Sequence, residues 1–439
     1  MKVVKFGGSS LAGAENFKKV KAIVEADKER TIVVVSAPGK RFKEDNKVTD
    51  LLYICHAHLK YNASCDEIFE KIKERYREIY TGCGLTFDIE AAFAEVEKKL
   101  VKRTSVDYIV SRGEYLNARL MAEYLGYTFV DSADWLFFDY DGKVDFERSY
   151  YALSAIVEHH PRVVLPGFYG TLPNGDIHTF SRGGSDITGA IAAAAVNADS
   201  YENWTDVSGI MMVDPRIVPS ARPISRITFA ELRELSHMGA EVLHEETVFP
   251  IRIKNIPLYI KNTNDPAAPG TLIMESFDDD DTVTEKTRFI TGVSGKKHYM
   301  LITVAKSRMS EESGYLRRAL EIFEHFGLHV DHIPTGVDSF SVVLSAAAVE
   351  RCIHELITEI TNTLHPDSVR VTQDISLIAV VGRRMALNPG VSGKIFATLG
   401  QNNINIRMIE QGADEINIMI GVADRDFEKV IRILYDSFT

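Results

Sequence analysis

Two glycine pairs, each set between an apolar strand and a helix, constrain this chain more than any other feature. The clearer one is Phe180-Ser181-Arg182-Gly183-Gly184-Ser185-Asp186, followed at once by an alanine-rich helical segment, Ile187 to Ala195. Glycines let a backbone approach a ligand closely, and the free N–H groups of a first helical turn attract anions. Arg182 adds a planar, permanently charged fork suited to a carboxylate or phosphate. Asp186 supplies the acid that such a positive cluster needs. The second pair is Lys5-Phe6-Gly7-Gly8-Ser9-Ser10, after Val3-Val4 and before a helical segment from Ala14 to Ala26. Lys5 contributes a mobile point charge there. No Gly-Lys-Ser/Thr closes this loop, so it is not a Walker A loop, and it is not a dinucleotide fingerprint. Singly, a helix cap and a strand-end lysine explain the two motifs. Together they point to an anion site.

Composition narrows the class. With 439 residues, 45% hydrophobic and 26% charged, the chain has room for two or three globular domains. Its formal net charge of −12 argues against nucleic acid, whose binding is driven by basic surface. No apolar run approaches the ~20 residues that span a bilayer, and Met1-Lys2-Val3-Val4-Lys5 opens a strand rather than a signal peptide. Cys55, Cys65, Cys83 and Cys352 show neither metal spacing nor a paired framework, so reduced thiols of a cytoplasmic protein are expected. His56 with His58, and His159 with His160, lack companions at ligand spacing, and no protein-held metal is expected.

Along the chain the layout reads as parallel α/β. Thr31 to Val35 is a buried strand by its β-branched run, ending at Ser36-Ala37-Pro38-Gly39. Asn46 through about Leu125 is mostly helical. Arg162 to Leu165 and Ser200 to Asp206 are further strands with small or polar residues at their ends. Ligands of open α/β sheets bind at those carboxyl ends, so one crevice can gather them. The acidic run Asp278 to Asp281 reads as a solvated connector and a domain boundary.

Beyond it the chain repeats itself. Ile302 to Leu344 aligns without a gap on Ile378 to Ile420, at an offset of about 76 residues. Arg308 matches Arg384, Met309 matches Met385, Gly314 matches Gly390, Gly336 matches Gly412 and Asp338 matches Asp414. Each copy reads as strand, glycine loop, helix and two strands, Val330 to Ile333 and Phe340 to Leu344 in the first. Two copies are too few for a solenoid, so a paired α/β module is expected, with units at about 299–345 and 375–421.

These motifs resemble the aspartate kinase family: KFGGSS at Lys5 to Ser10, SRGEYLNARL at Ser111 to Leu120 and FSRGGSDITGA at Phe180 to Ala190. WTDVSGIMMVDPRIVP at Trp204 to Pro219 and MGAEVLH at Met238 to His244 continue the match, which covers essentially the whole chain. The resemblance implies a three-layer α/β fold of the amino-acid-kinase type, with an open, mostly parallel sheet, over 1–285. It implies a regulatory region over 286–439, built of two βαββαβ ACT-like modules.

It also implies transfer of the γ-phosphoryl of MgATP to the side-chain carboxylate of L-aspartate, giving 4-phospho-L-aspartate, the first step toward lysine, threonine and methionine. That carboxylate is already ionised at neutral pH, so the task is positioning and charge neutralisation rather than proton abstraction. By resemblance Lys5 and Asp186 are catalytic, with Asp186 orienting the cations. Ser36, Thr49, Glu114, Arg182, Gly183, Gly184 and Ser185 bind aspartate, Arg182 through its α-carboxylate and Glu114 through its α-ammonium. Lys5, Gly7, Gly8, Ser9, Thr205, Asp206, Met211, Arg216, Glu241 and Val242 bind ATP, whose phosphates hold most of the Mg2+. Two positions depart from the common pattern. Met211 stands where many relatives carry tyrosine, and Glu241 where many carry lysine. Either the Glu241 side chain points away from the phosphates or ATP affinity is weakened.

In the first repeat, Met309, Gly314, Tyr315, Leu316, Asp331, Thr335 and Asp338 match the effector positions of lysine-sensitive relatives. The second repeat has Arg407 opposite Asp331, so it has lost that acid. The resemblance implies feedback by lysine, alone or with threonine, and a homodimer or larger assembly through the ACT-like modules. Two alternatives stand beside this reading: a kinase of the same superfamily acting on another acid, and a non-catalytic amino-acid sensor.

Overall fold

The β-branched run Thr31 to Val35 lies in the middle of a sheet because it is buried from both sides, as parallel strands require. It belongs to β2 (Arg30–Val35), which pairs in parallel with β1 (Lys2–Phe6). The computed structural model describes residues 1–439 except Arg182, 240–242, His244, 278–289, Arg384, 386–388 and 413–415, and the side chains of Glu245 and Glu246. Contacts divide the chain into two compact units, and the division is not a single cut. The first comprises Met1–Ile210, Pro223–Phe229 and Val242–Phe277, and the second Met211–Arg222, Ala230–Glu241 and Asp278–Thr439. Two segments well inside 1–285, Met211–Arg222 and Ala230–Glu241, therefore group with the C-terminal unit, which itself begins at 278.

In the first unit, α1 (Ala14–Glu25) links β1 to β2, and four helices follow: α2 (Val48–Lys60), α3 (Asp66–Cys83), α4 (Ile89–Glu97) and α5 (Val106–Leu125). Then come β3 (Thr128–Phe129), α6 (Phe146–His159), β4 (Val163–Pro166), β5 (Tyr169–Thr171) and β6 (Ile177–Thr179). The helix α7 (Gly184–Ala195) leads to β7 (Ser200–Thr205) and β8 (Arg226–Thr228). The helix α8 (Phe229–His237) groups from Ala230 on with the second unit; after α9 (Glu245–Ile253), β9 (Leu258–Asn262) and β10 (Thr271–Met274) finish the sheet. Its order is β3-β4-β2-β1-β7-β9-β10-β8, parallel except for the β9–β10 pair. Alternate residues serve opposite faces. Val4, Phe6, Val33, Val35 and Trp204 share one core with Phe17, Val20 and Ile23 of α1, whereas Lys5 turns toward α7. The chain leaves β1 for β2 on one side and β7 for β9 on the other, so the strand order reverses between β1 and β7. A crevice opens at such a switch point.

The second unit carries one five-stranded sheet, ordered β12-β11-β13-β15-β14. Its strands are β11 (Gly292–Ala305), β12 (Ser339–Ser345), β13 (Ser368–Val381), β14 (Met408–Gln411) and β15 (Asn417–Ala423). Its helices are α10 (Tyr315–His325), the short α11 (Ala346–Val349), α12 (Ile353–Leu364), α13 (Val391–Gln401) and α14 (Phe427–Phe438). The two long strands, β11 and β13, pair antiparallel along their whole length, with a register shift around Tyr299. His298 and Asp374 adopt φ of 68° and 57° there. Before the shift, Gly292 to Lys296 lies beside the first strand of the second repeat; after it, Leu301 to Ala305 lies beside the last strand of the first. The modules are thus nested rather than consecutive, because the outer strand of the second comes from residues ahead of the first.

One expected strand is absent from the ladder. Val330 to Ile333 makes only one bridge, His332 to Val343, and Thr335 just beyond it bridges to Phe340, whereas the corresponding stretch of the second repeat forms β14. Pro334 stands where the second repeat has Glu410, and a proline has no N–H to give a ladder.

Candidate active site

β1 ends in Lys5-Phe6, and the chain turns through Gly7 into a short helical turn, Gly8–Leu11. The Gly7 N–H donates to the Trp204 carbonyl at 3.1 Å, which ties this loop to the end of β7. Its neighbour Gly8 accepts from the Gly39 N–H at 2.8 Å. A Cβ on Gly8 would stand 2.9 Å from the Ala37 carbonyl, and one on Gly39 would stand 2.6 Å from the Gly8 backbone. Only glycine fits either position. The loops after β1 and β2 are therefore pressed together at the carboxyl end of the sheet. Ser9 is exposed at the rim.

Lys5 is buried, 7% exposed, and its Nζ lies 2.6 Å from Asp186 Oδ1. Asp186 sits in the first turn of α7, whose N-cap is Gly183 with φ of 58°, a left-handed conformation that glycine adopts without strain. Gly184 leaves room for Phe168, since an added Cβ would meet the Phe168 Cα at 2.9 Å. Phe168 itself has a φ of 81°, and its N–H donates to Thr188 Oγ1 at 3.0 Å, which helps hold that turn against the helix start. Ser185 is buried against Gly167.

The long helix α5 carries the other carboxylate. Ser105 caps it through Tyr108 N–H, and an unbroken buried stretch from Ile109 to Ala118 follows. Glu114 Oε1 accepts the Ala37 N–H at 3.0 Å, while its buried Oε2 has no hydrogen-bond partner. Burial pushes the Glu114 carboxyl up to about 8, against the lowering pull of the Ala37 N–H. One turn along, Asn117 donates Nδ2 to the Ser36 carbonyl at 2.7 Å and leaves its own buried Oδ1 unmatched. Once Glu114 is ionised, its Oε2 and the Asn117 Oδ1 are two unmatched acceptors beside Ser36-Ala37, which suit a cationic ligand rich in N–H donors.

A profile of the amino acid kinase family matches residues 1–262, and one of the ACT domain matches residues 378–438. Aspartokinase 3 of Bacillus subtilis is 38% identical over 456 aligned residues, covering 100% of this chain and 98% of that protein. The crystal structure of Clostridium acetobutylicum aspartate kinase superposes with a TM-score of 0.94 at 45% identity, covering 100% of both chains. The chain belongs to the aspartate kinase family. Escherichia coli aspartokinase III, in complex with aspartate and ADP, is a more distant aspartate kinase, with a TM-score of 0.73 at 26% identity, covering 100% of this chain and 99% of that one.

Within this aspartate kinase, Lys5, Gly7 and Asp186 come together, as do Ser36 and Glu114 through the Ala37 backbone. Thr49 lies half-buried in the first turn of α2. Thr205, at the end of β7, donates its hydroxyl to Asp206 at 3.1 Å. Met211 and Arg216 belong to the second compact unit; Arg216 is exposed and forms an ion pair with Asp214 at 2.8 Å. Arg182, Glu241 and Val242 lie outside the described residues. Asn117 and Asn203 were not singled out from sequence, although a polar amide in a buried strand or helix interior is the signal that finds them.

In the first repeat, Gly314 begins α10 with φ of 74°, and Met309 and Tyr315 are buried beside it. Leu316 is half-buried and Thr335 exposed. Asp338 Oδ1 accepts the Arg308 N–H at 2.9 Å, and the Asp331 N–H donates to the Val343 carbonyl at 3.0 Å. Glu312 pairs with Lys306 at 2.6 Å and with Arg318.

Proposed function

We propose that this aspartate kinase transfers the γ-phosphoryl of ATP to the side-chain carboxylate of L-aspartate, giving 4-phospho-L-aspartate. The observation that carries the substrate assignment is Glu114, a buried carboxyl with one oxygen bonded to the protein and the other bare. The α-ammonium of an amino acid supplies the N–H donors and the positive charge that this oxygen lacks, and an N-acylated acid does not. Thr49 and Ser36 complete the aspartate contacts, and Arg182 with the Gly183-Gly184-Ser185 turn takes the α-carboxylate.

Lys5, steered by Asp186, neutralises the phosphoryl group as it leaves ATP, with the Gly8 and Ser9 amides beside it, while the Gly7 N–H is taken by the Trp204 carbonyl. The attacking carboxylate is ionised at neutral pH, so no base is required, and the barrier is lowered by positioning and by fixed positive charge. Thr205, Asp206, Met211, Arg216, Glu241 and Val242 hold the nucleotide. Mg2+ arrives as part of the MgATP substrate. Among the described residues no group of three or more His, Cys, Asp and Glu side chains is arranged to hold a metal ion.

Residues 1–285 form the catalytic domain in this reading and 286–439 the regulatory region. Lysine, alone or with threonine, binds the first repeat through Met309, Gly314, Tyr315, Leu316, Asp331, Thr335 and Asp338, and two chains pair through the nested modules in the cytoplasm. A structure of E. coli aspartokinase III in complex with lysine and aspartate supports an amino-acid effector in the family. Trapping the acyl phosphate with hydroxylamine tests the reaction. Aspartyl β-hydroxamate, formed only with ATP and L-aspartate present, is expected. ATP breakdown without hydroxamate overturns the assignment.

A further inference from the structure

The strand β7 alternates between two jobs. Glu202 and Trp204 face α1, where Glu202 accepts from Arg30 Nε at 2.9 Å, Arg30 Nη2 at 3.2 Å and the Trp204 indole N–H at 2.8 Å. Tyr201 and Asn203 face α7. Tyr201 donates its hydroxyl to the Asp186 carbonyl at 3.1 Å. Asn203 stands directly opposite Lys5 in the β1–β7 register, and its Nδ2 donates to Asp186 Oδ1 at 2.7 Å. Lys5 Nζ reaches that same oxygen at 2.6 Å and Asn203 Oδ1 at 3.4 Å. Side chains from β1, β7 and α7 thus close a ring around one carboxylate oxygen.

An amide that is 5% exposed in the middle of a sheet costs stability unless both its ends are used. Here both are, and both on the groups assigned to phosphoryl transfer. We propose that Asn203 is a positioning residue for that step: its amide anchors the Asp186 carboxylate, so that the Lys5 ammonium can move toward the transferring group without Asp186 following. A lysine has a flexible stem and a point charge. As charge builds on the phosphoryl oxygens, the ammonium is drawn to them, and a half-buried carboxylate with no second donor would lose its partner. The Asn203 N–H prevents that. Its oxygen gives the ammonium a second acceptor along the way. This inference rests on the roles proposed for Lys5 and Asp186.

The test compares Asn203→Leu, Asn203→Asp and Asn203→Ser in the full-length protein, with Lys5→Ala beside them. Loss of the amide in Asn203→Leu is expected to lower kcat about tenfold or more while aspartate KM stays within about threefold. Asn203→Asp keeps the shape but sets a second carboxylate beside Asp186. The two then compete for one proton, and the acid limb of the kcat profile is expected to move about one pH unit or more to the alkaline side. Asn203→Ser, which packs with least strain, covers the case of poor folding in the other two and is expected to fall between Leu and wild type. Wild-type kcat and an unmoved pH profile in the folded variants, with only a lower Tm, overturn the inference. If Lys5→Ala is inactive under that outcome, the site reading stands and Asn203 alone is structural. Full turnover in Lys5→Ala overturns both.

Discussion

Glu114 accepts the Ala37 N–H at 3.0 Å through one carboxylate oxygen and keeps the other buried and bare. Burial raises this carboxyl from 4.5 to about 8, so at pH 7 it is mostly protonated before substrate arrives. Binding of an ammonium beside it favours the ionised form. Aspartate binding near pH 7 is therefore expected to release close to one proton, read from the buffer dependence of the calorimetric binding enthalpy. Glu114→Gln should abolish the release and weaken aspartate binding by tenfold or more, about 1.4 kcal/mol or above.

The same carboxyl makes stability depend on pH. Between about 4.5 and about 8 the folded protein holds a proton on Glu114 that the unfolded chain has lost. Stability from this group is full below that window and declines as pH rises through it. The substrate-free Glu114→Gln protein escapes the decline. Its stability advantage over wild type should widen from pH 5 to pH 8.5 by on the order of a few kcal/mol, read as a growing difference in Tm. A constant difference across that range would mean that Glu114 ionises normally in the folded protein.

Lys5 is held where its charge meets the glycine loop. Lys5→Ala should lower kcat by a factor corresponding to roughly 2–4 kcal/mol, with much less change in KM. Steady-state kinetics at saturating ATP and aspartate check this. A rise in KM at constant kcat would assign Lys5 to ground-state binding.

The first repeat keeps Asp331 where the second has Arg407, and a buried ammonium needs such an acid. Millimolar lysine is expected to inhibit, and Asp331→Ala to raise the lysine concentration for half inhibition at least about tenfold, a coupling change near 1.4 kcal/mol. Titrating lysine and threonine, singly and together, against activity separates the effectors. No inhibition by either would remove the regulatory assignment and leave the kinase intact.

The regulatory sheet ends its ladder at β14 on one side, and on the other β12 is met only by the bridges of His332 and Thr335; incompletely paired edges invite pairing. Sedimentation at micromolar concentration should show dimers or larger species, with little at the protomer mass of 49.1 kDa. A fully active and fully regulated monomer would contradict this.

Much of this architecture was legible in the sequence because local pattern and global fold agree. The run Thr31 to Val35 can only be a buried strand, and the glycine pairs at Gly7 and Gly183 mark strand-to-helix turns. Nesting of the two modules was not legible. It depends on which half of a 14-residue strand pairs with which half of another, and both halves of β11 are equally strand-like. The broken strand at Val330 to Ile333 was misread because the apolar pattern is right and Pro334 acts only through its missing N–H. Asn203 was hidden for a related reason. Its partners lie 17 and 198 residues away in sequence, and only the β1–β7 register puts them side by side.

The most direct test of the central claim is ADP release from ATP, coupled to a spectrophotometric readout, over L-aspartate, L-glutamate, N-acetyl-L-aspartate and N-acetyl-L-glutamate. The account predicts turnover with L-aspartate and none above background with either acylated acid, because acylation removes the ammonium that Glu114 awaits. Turnover with N-acetyl-L-aspartate or N-acetyl-L-glutamate equal to that with L-aspartate would contradict it.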